Sequence, residues 1–211
     1  MRMTLTAQPH DICLSLNASA LLLLDMPCGP ALSDPLVRAA PGAARAIEAI
    51  VPRVRRILHV WRAWGGLVVH ARTDGWEDAE PTAPAEGICP VDGELRIAKP
   101  GQGAFYRTCL LEALQVREVH HLIVVGAFAE GAVQTTLREA ADRGLSCLLL
   151  EDAVASAQAH FKAVTLEMIR APGGIGAWSA PSEAVLSALS PGSWWPEHLP
   201  RAVRGTDPQP A

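Results

Sequence analysis

The sequence predicts an α/β fold: a three-layer α/β/α sandwich with a mainly parallel central sheet. Three observations carry that expectation. Apolar runs alternate with helical patterns along the chain, as right-handed βαβ crossovers require. The runs are continuous rather than alternating, so their strands should be buried on both faces. Hydrophobic residues make up 49% of the 211, enough for the core of one ordinary domain.

Taken in order, ALLLLDM (Ala20–Met26) reads as a strand that stops at an aspartate. AARAIEAIVPRVRRILHVWRAW (Ala43–Trp64) reads as a helix with Ile47, Ile50, Val54, Ile57, Leu58 and Trp61 on one side. Its arginines Arg45, Arg53, Arg55, Arg56 and Arg62 fall largely elsewhere, as an amphipathic helix requires. Pro52 is expected to interrupt or kink it, and Gly65-Gly66 to end it. GLVVHAR (Gly66–Arg72) is the next strand, Glu94–Ala98 an extended piece, and Leu110–Leu114 a short helix. HLIVVGA (His121–Ala127) is a strand that runs into a glycine turn. A helix over Glu130–Arg143, closed by Gly144, starts from that turn. SCLLLEDA (Ser146–Ala153) is a strand ending in two acids, and helices over Phe161–Ala171 and Pro181–Leu189 follow.

This places a single domain at residues 1–190. The loop Thr73–Val91, rich in Pro, Glu, Gly and Ala, is expected to cover something. The proline-rich tail 191–211 carries Trp194-Trp195 and is expected to be either disordered or an arm over a neighbouring subunit.

Composition removes several function classes. Net charge is −4 with no lysine/arginine-rich run, which argues against nucleic acid as a partner. The first residues lack a signal-peptide apolar region, and Ala20–Leu24 is too short to span a bilayer. No membrane association and a cytoplasmic location are therefore expected. Cys13, Cys28, Cys89, Cys109 and Cys147 are scattered, odd in number and form no CxxC pair. Reduced, mostly buried thiols are the expectation. No metal set appears: His120 and His121 are adjacent, so their side chains leave a strand on opposite faces. The glycines of PGGIG (Pro172–Gly176) follow no strand, which disfavours a dinucleotide site. No cofactor is expected.

Ligands of open parallel sheets sit beyond the carboxyl ends of the strands. Asp25, Arg72, Asp74, Lys99 and the turn Gly126–Ala132 arrive there. Burial of Asp25 after a leucine strand favours its neutral form, and a nearby ammonium favours its charged form. A carboxylate balanced in this way can act as general acid or base, although a helix cap would look the same. Lys99 precedes Pro100 and is held extended; it gains meaning only beside Asp25. The helix start at Glu130–Val133 presents amide groups and a positive dipole end, a ready anion site, with Glu130 complementing the dipole. Where a nucleophile would stand, the turn offers Ala129, Gly131 and Ala132, none of which can attack anything. Arg72 and Tyr106 are candidates to hold a substrate carboxylate or carbonyl, or equally to be surface and core residues.

These segments, in this order, resemble the isochorismatase-like hydrolase superfamily, which includes nicotinamidases, carbamoylsarcosine and biuret-type amidohydrolases, and isochorismatase. ALLLLDM resembles its first strand with the catalytic aspartate. KPGQGAFYRTCL is similar to its lysine motif, and GAFAEGAVQTTLREAADRGLSCLLLEDAVAS to its signature segment. TLEMIRAPGGI is similar to the end of the biuret-type branch. The resemblance runs from about Ala20 to Leu189. It implies an Asp–Lys–Cys triad whose first two members are Asp25 and Lys99. The cysteine would stand at position 132, where this chain has Ala132. Ala129 and Glu130 also depart from the family's usual Thr followed by Asn, Asp or His, which points to natural divergence rather than one engineered replacement. The resemblance further implies a cis peptide between Ala127 and Phe128, a pocket lined by Phe128, Ala129 and Gly131, a small-molecule substrate, and a homo-oligomer, dimer or tetramer.

Without the thiol, three functions stay open. Asp25 could be the acid for vinyl-ether hydrolysis, tuned by Lys99, as the aromatic-Ala turn Phe128-Ala129 suggests by its likeness to members with a small residue at the cysteine position. The chain could be a pseudoenzyme, a binding or assembly subunit on the same scaffold. Asp25 could also drive water directly onto an amide. Cys28, three residues after Asp25, lies within about 10 Å of extended chain and is a weak substitute nucleophile.

Overall fold

The computed structural model describes residues 2–28, 42–73 and 87–190. Asp74, most of the Thr73–Val91 loop and the 191–211 tail with its two tryptophans lie outside the described residues. A six-stranded, wholly parallel sheet forms the centre. It contains β3 (Ser19–Leu24), β4 (Leu67–Thr73), β5 (Leu95–Lys99), β6 (His121–Gly126), β7 (Ser146–Val154) and β8 (Trp178–Ala180), in the order β5-β4-β3-β6-β7-β8. An antiparallel hairpin of β1 (Arg2–Leu5) and β2 (Ile12–Ser15) stands apart. Its Gln8 bridges to Ser179 on the sheet's last strand.

The continuous leucine run explains the three layers. Successive side chains of a strand point to opposite faces. Leu21 and Leu23 of β3 therefore enter one core with the hairpin and helix α1 (Ala43–Trp64). Ala20, Leu22 and Leu24 enter the other. There they meet α2 (Leu110–Gln115), α3 (Gln134–Ala141) and α4 (Ala159–Arg170) through Leu110, Leu137 and Ile169. The last helix, α5 (Ser182–Ala188), closes the first face with Val185 and Leu186.

Two local expectations are corrected. Helix α1 runs unbroken through Pro52. Pro52 and Glu48 both lie on the exposed side, so the carbonyl that loses its partner four residues earlier is left to water. Of the five thiols only Cys28 and Cys147 are buried, while Cys13 and Cys109 are exposed. Burial pushes the Cys147 thiol up to about 12.

The two acids near the end of β7, which runs on to Val154, are structural. Asp152 caps α5, accepting from the Ser182 amide at 2.8 Å and its hydroxyl at 2.7 Å. Glu151 accepts from Ser179 at 2.7 Å and Arg170 at 2.9 Å. β7 bulges here, so that Val124 pairs with Leu149 but Gly126 with Val154.

Candidate active site

The chain leaves β3 for β4 and β5 on one side, and β6 leads to β7 and β8 on the other. Strand order thus reverses between β3 and β6, the switch point where open parallel sheets leave a crevice. Asp25 follows β3, and the turn Ala127–Val133 follows β6. They are adjacent by register: Leu24 pairs with Gly126, and the Ala127 amide donates to the Leu24 carbonyl at 2.9 Å. Only glycine fits at 126. Its φ is +138°, and a Cβ there would stand 2.1 Å from the Leu24 carbonyl oxygen.

Asp25 and Lys99 meet. Nζ of Lys99 lies 2.8 Å from Oδ2 of Asp25, and both side chains are 1% exposed. The other carboxylate oxygen, Oδ1, accepts from the Thr73 amide at 2.9 Å and the Thr73 hydroxyl at 3.2 Å. Lys99 also donates to the Thr73 hydroxyl oxygen and to the Gly101 carbonyl, each at 3.2 Å. An ammonium has three donors, and all three are consumed. Lys99 is therefore a buried counter-charge with no N–H left for a ligand. Thr73, paired in register with Lys99 on neighbouring strands, is the member that sequence reasoning missed. Its signal is only positional: one residue past Arg72 at the end of β4.

Two of the four non-glycine residues with left-handed φ among the described residues are Asp25, at +48°, and Phe128, at +63°. Such backbone costs of order 1–3 kcal/mol each and collects at functional sites; here both end strands at the switch point. The Ala127–Phe128 peptide, expected to be cis, is not: the cis bond among the described residues is Gln8–Pro9. The turn bends through the left-handed Phe128 instead.

The helix after the turn begins as a π-turn, Ala129–Val133, before α3 takes over, a distortion frequent at functional sites. Its amides are not all free, as the sequence reading assumed. Ala129 N–H bonds to Ala155, and those of Gly131 and Val133 bond to Phe128; the amides of Glu130 and Ala132 take no part in those bonds. Ala129 and Ala132 are fully buried. A Cβ on Gly131 would stand 2.9 Å from Gln102 Oε1, so the lysine loop lies over the turn. Ala104 and Phe105 amides dock that loop on α3 through Thr136 and Glu139, each at 3.1 Å.

Glu130 is held elsewhere. It accepts from the Ser156 hydroxyl at 2.7 Å and the Ala157 amide at 3.1 Å, tying the turn to the segment after β7 rather than facing a ligand. Tyr106 is 53% exposed with its ring against Gly101. Arg72 is half-buried. Cys28 is buried, and its carbonyl accepts from Cys89 Sγ at 3.5 Å. Among the described residues, no three His, Cys, Asp or Glu side chains converge as a metal site would require, and no helix is long and apolar enough to cross a membrane.

The model of the isochorismatase domain matches residues 19–178. The chain belongs to the isochorismatase family. The chain is 26% identical over 195 residues to the ureidoacrylate amidohydrolase RutB of Yersinia enterocolitica, covering 75% of this chain and 84% of that one. A solved isochorismatase of Pseudomonas putida KT2440 is 27% identical, superimposes with a TM-score of 0.64, and covers 81% of this chain and 91% of its own. The N-carbamoylsarcosine amidase of Thermoplasma acidophilum, at 22% identity and a TM-score of 0.59 over 78% of this chain and 96% of its own, shares the fold. Family membership makes the chain an isochorismatase-like hydrolase by descent, and the six-stranded α/β/α architecture agrees with it.

Proposed function

We propose that this chain is an isochorismatase-family hydrolase that works without a cysteine nucleophile. Asp25 exchanges a proton with a small-molecule substrate held at the turn, Lys99 supplies the counter-charge, and water completes the cleavage of a vinyl ether or a C–N bond. The observation that carries this reading is the retained Asp25–Lys99 pair, 2.8 Å apart and 1% exposed, at the switch point that the turn carrying Ala132 also reaches. A buried ion pair is replaceable by apolar residues at little or no loss of stability, so stability alone does not account for it. Among the described residues, Asp25 Oδ2 accepts only from Lys99, and so keeps room for a proton.

In this reading Ala132 stands where an amidase would carry its thiol. Losing a nucleophile of this kind costs on the order of a millionfold in turnover, or roughly 8 kcal/mol. The Glu130 and Ala132 amides are the candidates to bind a developing anion. Phe128, Ala129, Gly131, Arg72 and Tyr106 are the candidates to shape the pocket, Tyr106 from the rim. The setting is a cytoplasmic homo-oligomer, dimer or tetramer.

The test is turnover on nicotinamide, biuret, ureidoacrylate and isochorismate. Consumption of isochorismate that stops in Asp25→Ala, with no amide turnover, is the expected result. Robust amide turnover that survives Cys28→Ser overturns it. The second reading, a catalytically dead binding or assembly subunit, rests on Ala132 and on the likeness of the C-terminal half to biuret-type amidases. It prevails if no substrate is consumed and Ala132→Cys alone restores amide hydrolysis.

A further inference from the structure

We propose that Thr73 is the positioning residue of the Asp25–Lys99 pair, and that it makes Oδ2 the single oxygen through which Asp25 exchanges a proton. The inference rests on the reading of Asp25 as the acid–base group given above. Thr73 reaches Asp25 Oδ1 twice, through its amide at 2.9 Å and its hydroxyl at 3.2 Å. A carboxylate oxygen has about two acceptor sites, so Oδ1 is filled. The same hydroxyl accepts from Lys99 Nζ at 3.2 Å, and Gly101 takes another of the ammonium donors. Lys99 is thereby limited to one bond with the carboxylate, at Oδ2. Among the described residues, one acceptor site remains on the group, on Oδ2.

A hydroxyl is needed for this because it must donate and accept at once. Without it, the freed ammonium proton turns to Oδ1, the carboxylate and ammonium pair through both oxygens, and the open site on Oδ2 is no longer fixed in place. Valine keeps the shape and the amide of residue 73 but neither function of the hydroxyl. Serine keeps both.

The experiment needs no known substrate. In an Ala132→Cys background, the introduced thiol is alkylated with iodoacetamide, and its peptide is followed by mass spectrometry apart from the native cysteines. The thiol proton passes to Asp25 Oδ2, the sulfur–carbon bond forms, and iodide leaves. Adding Asp25→Asn should slow the reaction about a hundredfold, the effect of removing a general base. Adding Thr73→Val should slow it about tenfold, as expected for one hydrogen bond to a charged group. Thr73→Ser should stay within about twofold. If Thr73→Val fails to fold, Thr73→Ala against Thr73→Ser makes the same comparison. A slow Asp25→Asn with Thr73→Val as fast as Thr73→Ser, or faster, overturns the role of Thr73 alone. An unchanged rate in Asp25→Asn overturns the reading of Asp25, and this inference with it.

Discussion

Two largely buried carboxylates sit on the β4–β5 half of the sheet and differ in where they stand. Asp25 is paired with Lys99, and Glu94 with Arg62. Glu94 accepts from Arg62 Nε at 2.7 Å and Nη2 at 2.9 Å, from His70 Nε2 at 2.8 Å and from the Val91 amide at 3.0 Å. Three of these four donors reach Oε2 and one reaches Oε1. Asp25 has three. Arg62 spends its remaining reach on the carbonyls of Gly87 and Cys89, where its planar fork can bind several acceptors at once. Asp25 also sits on left-handed backbone, and Glu94 does not. Burial and pairing are common to both. Strained backbone and a place at the switch point belong to one alone. The Glu94 cluster ties α1 to the sheet through Arg62 and His70; the Asp25 cluster stands at the switch point.

The largest expected effect separates the two by stability and chemistry together. Lys99→Met strands a buried carboxylate and should cost about 3–5 kcal/mol, whereas Asp25→Leu/Lys99→Met should recover most of it. Urea unfolding measures both, and a loss below about 1 kcal/mol for Lys99→Met would mean a solvated pair. Arg62→Met also leaves a carboxylate short of donors, but at a partly exposed site, and should cost about 2–3 kcal/mol. In the Ala132→Cys background, Lys99→Met should suppress alkylation of the introduced thiol and Arg62→Met should not. Equal suppression by both would erase the distinction between the clusters.

Much of one cluster was legible in the sequence, and little of the other. Asp25 and Lys99 end apolar or extended segments, where a parallel sheet places its ligands; chain order therefore brought them to one edge. Thr73 was hidden because a threonine ending a strand is an ordinary β-former. Its meaning comes from the pairing of Thr73 with Lys99 across β4 and β5, which is tertiary. Arg62 looked like one of five helix arginines away from the apolar side, and Glu94 only opened the extended piece Glu94–Ala98, until the fold set them together beside His70. The hairpin and β8 were missed for a different reason. RMTL, ICLS and WSA are three or four residues long, too short for a periodic signal. Glu130 matched the pattern of an acid in the first turn of a helix, and only the loop after β7 revealed its use.

Lowering the pH should weaken the Glu94 cluster first. Burial, which outweighs the pull of Glu94, holds His70 below the ordinary histidine value of 6.5, and Arg62 and Arg96 push the same way. The neutral ring therefore carries its proton on Nε2, facing a carboxylate that can only accept. Burial would raise the Glu94 carboxyl, but hydrogen bonds from Arg62, Val91 and His70 together hold it below the usual 4.5. In both cases the folded protein binds fewer protons than the unfolded chain, so stability rises with pH. The His70 contribution is complete above about 6.5 and is lost as pH falls below it. The Glu94 contribution is complete above 4.5 and is lost through the lower folded value. His121, lowered by burial and by His120, adds to the first window. The urea midpoint should fall from pH 7 to pH 5, and His70→Gln should flatten that slope in part. A flat midpoint over this range would contradict a neutral, buried His70.

The smallest effect is the control. Arg56 and Glu183 pair at 3.3 Å with both side chains 56% exposed, joining α1 to α5. Arg56→Ala should change stability by no more than about 0.5 kcal/mol, because exposed pairs gain little in water and hold two long side chains in one geometry. Raising salt to about 1 M shortens the screening length to about 3 Å and should remove even that. Double-mutant cycles on Arg56–Glu183, Arg62–Glu94 and Asp25–Lys99 should then rank in that order, smallest first, as exposure falls from 56% through 23% and 8% to 1%. If the exposed pair coupled as strongly as Asp25–Lys99, depth would not set the strength of these pairs, and the retention of a buried charge at the switch point would lose its meaning.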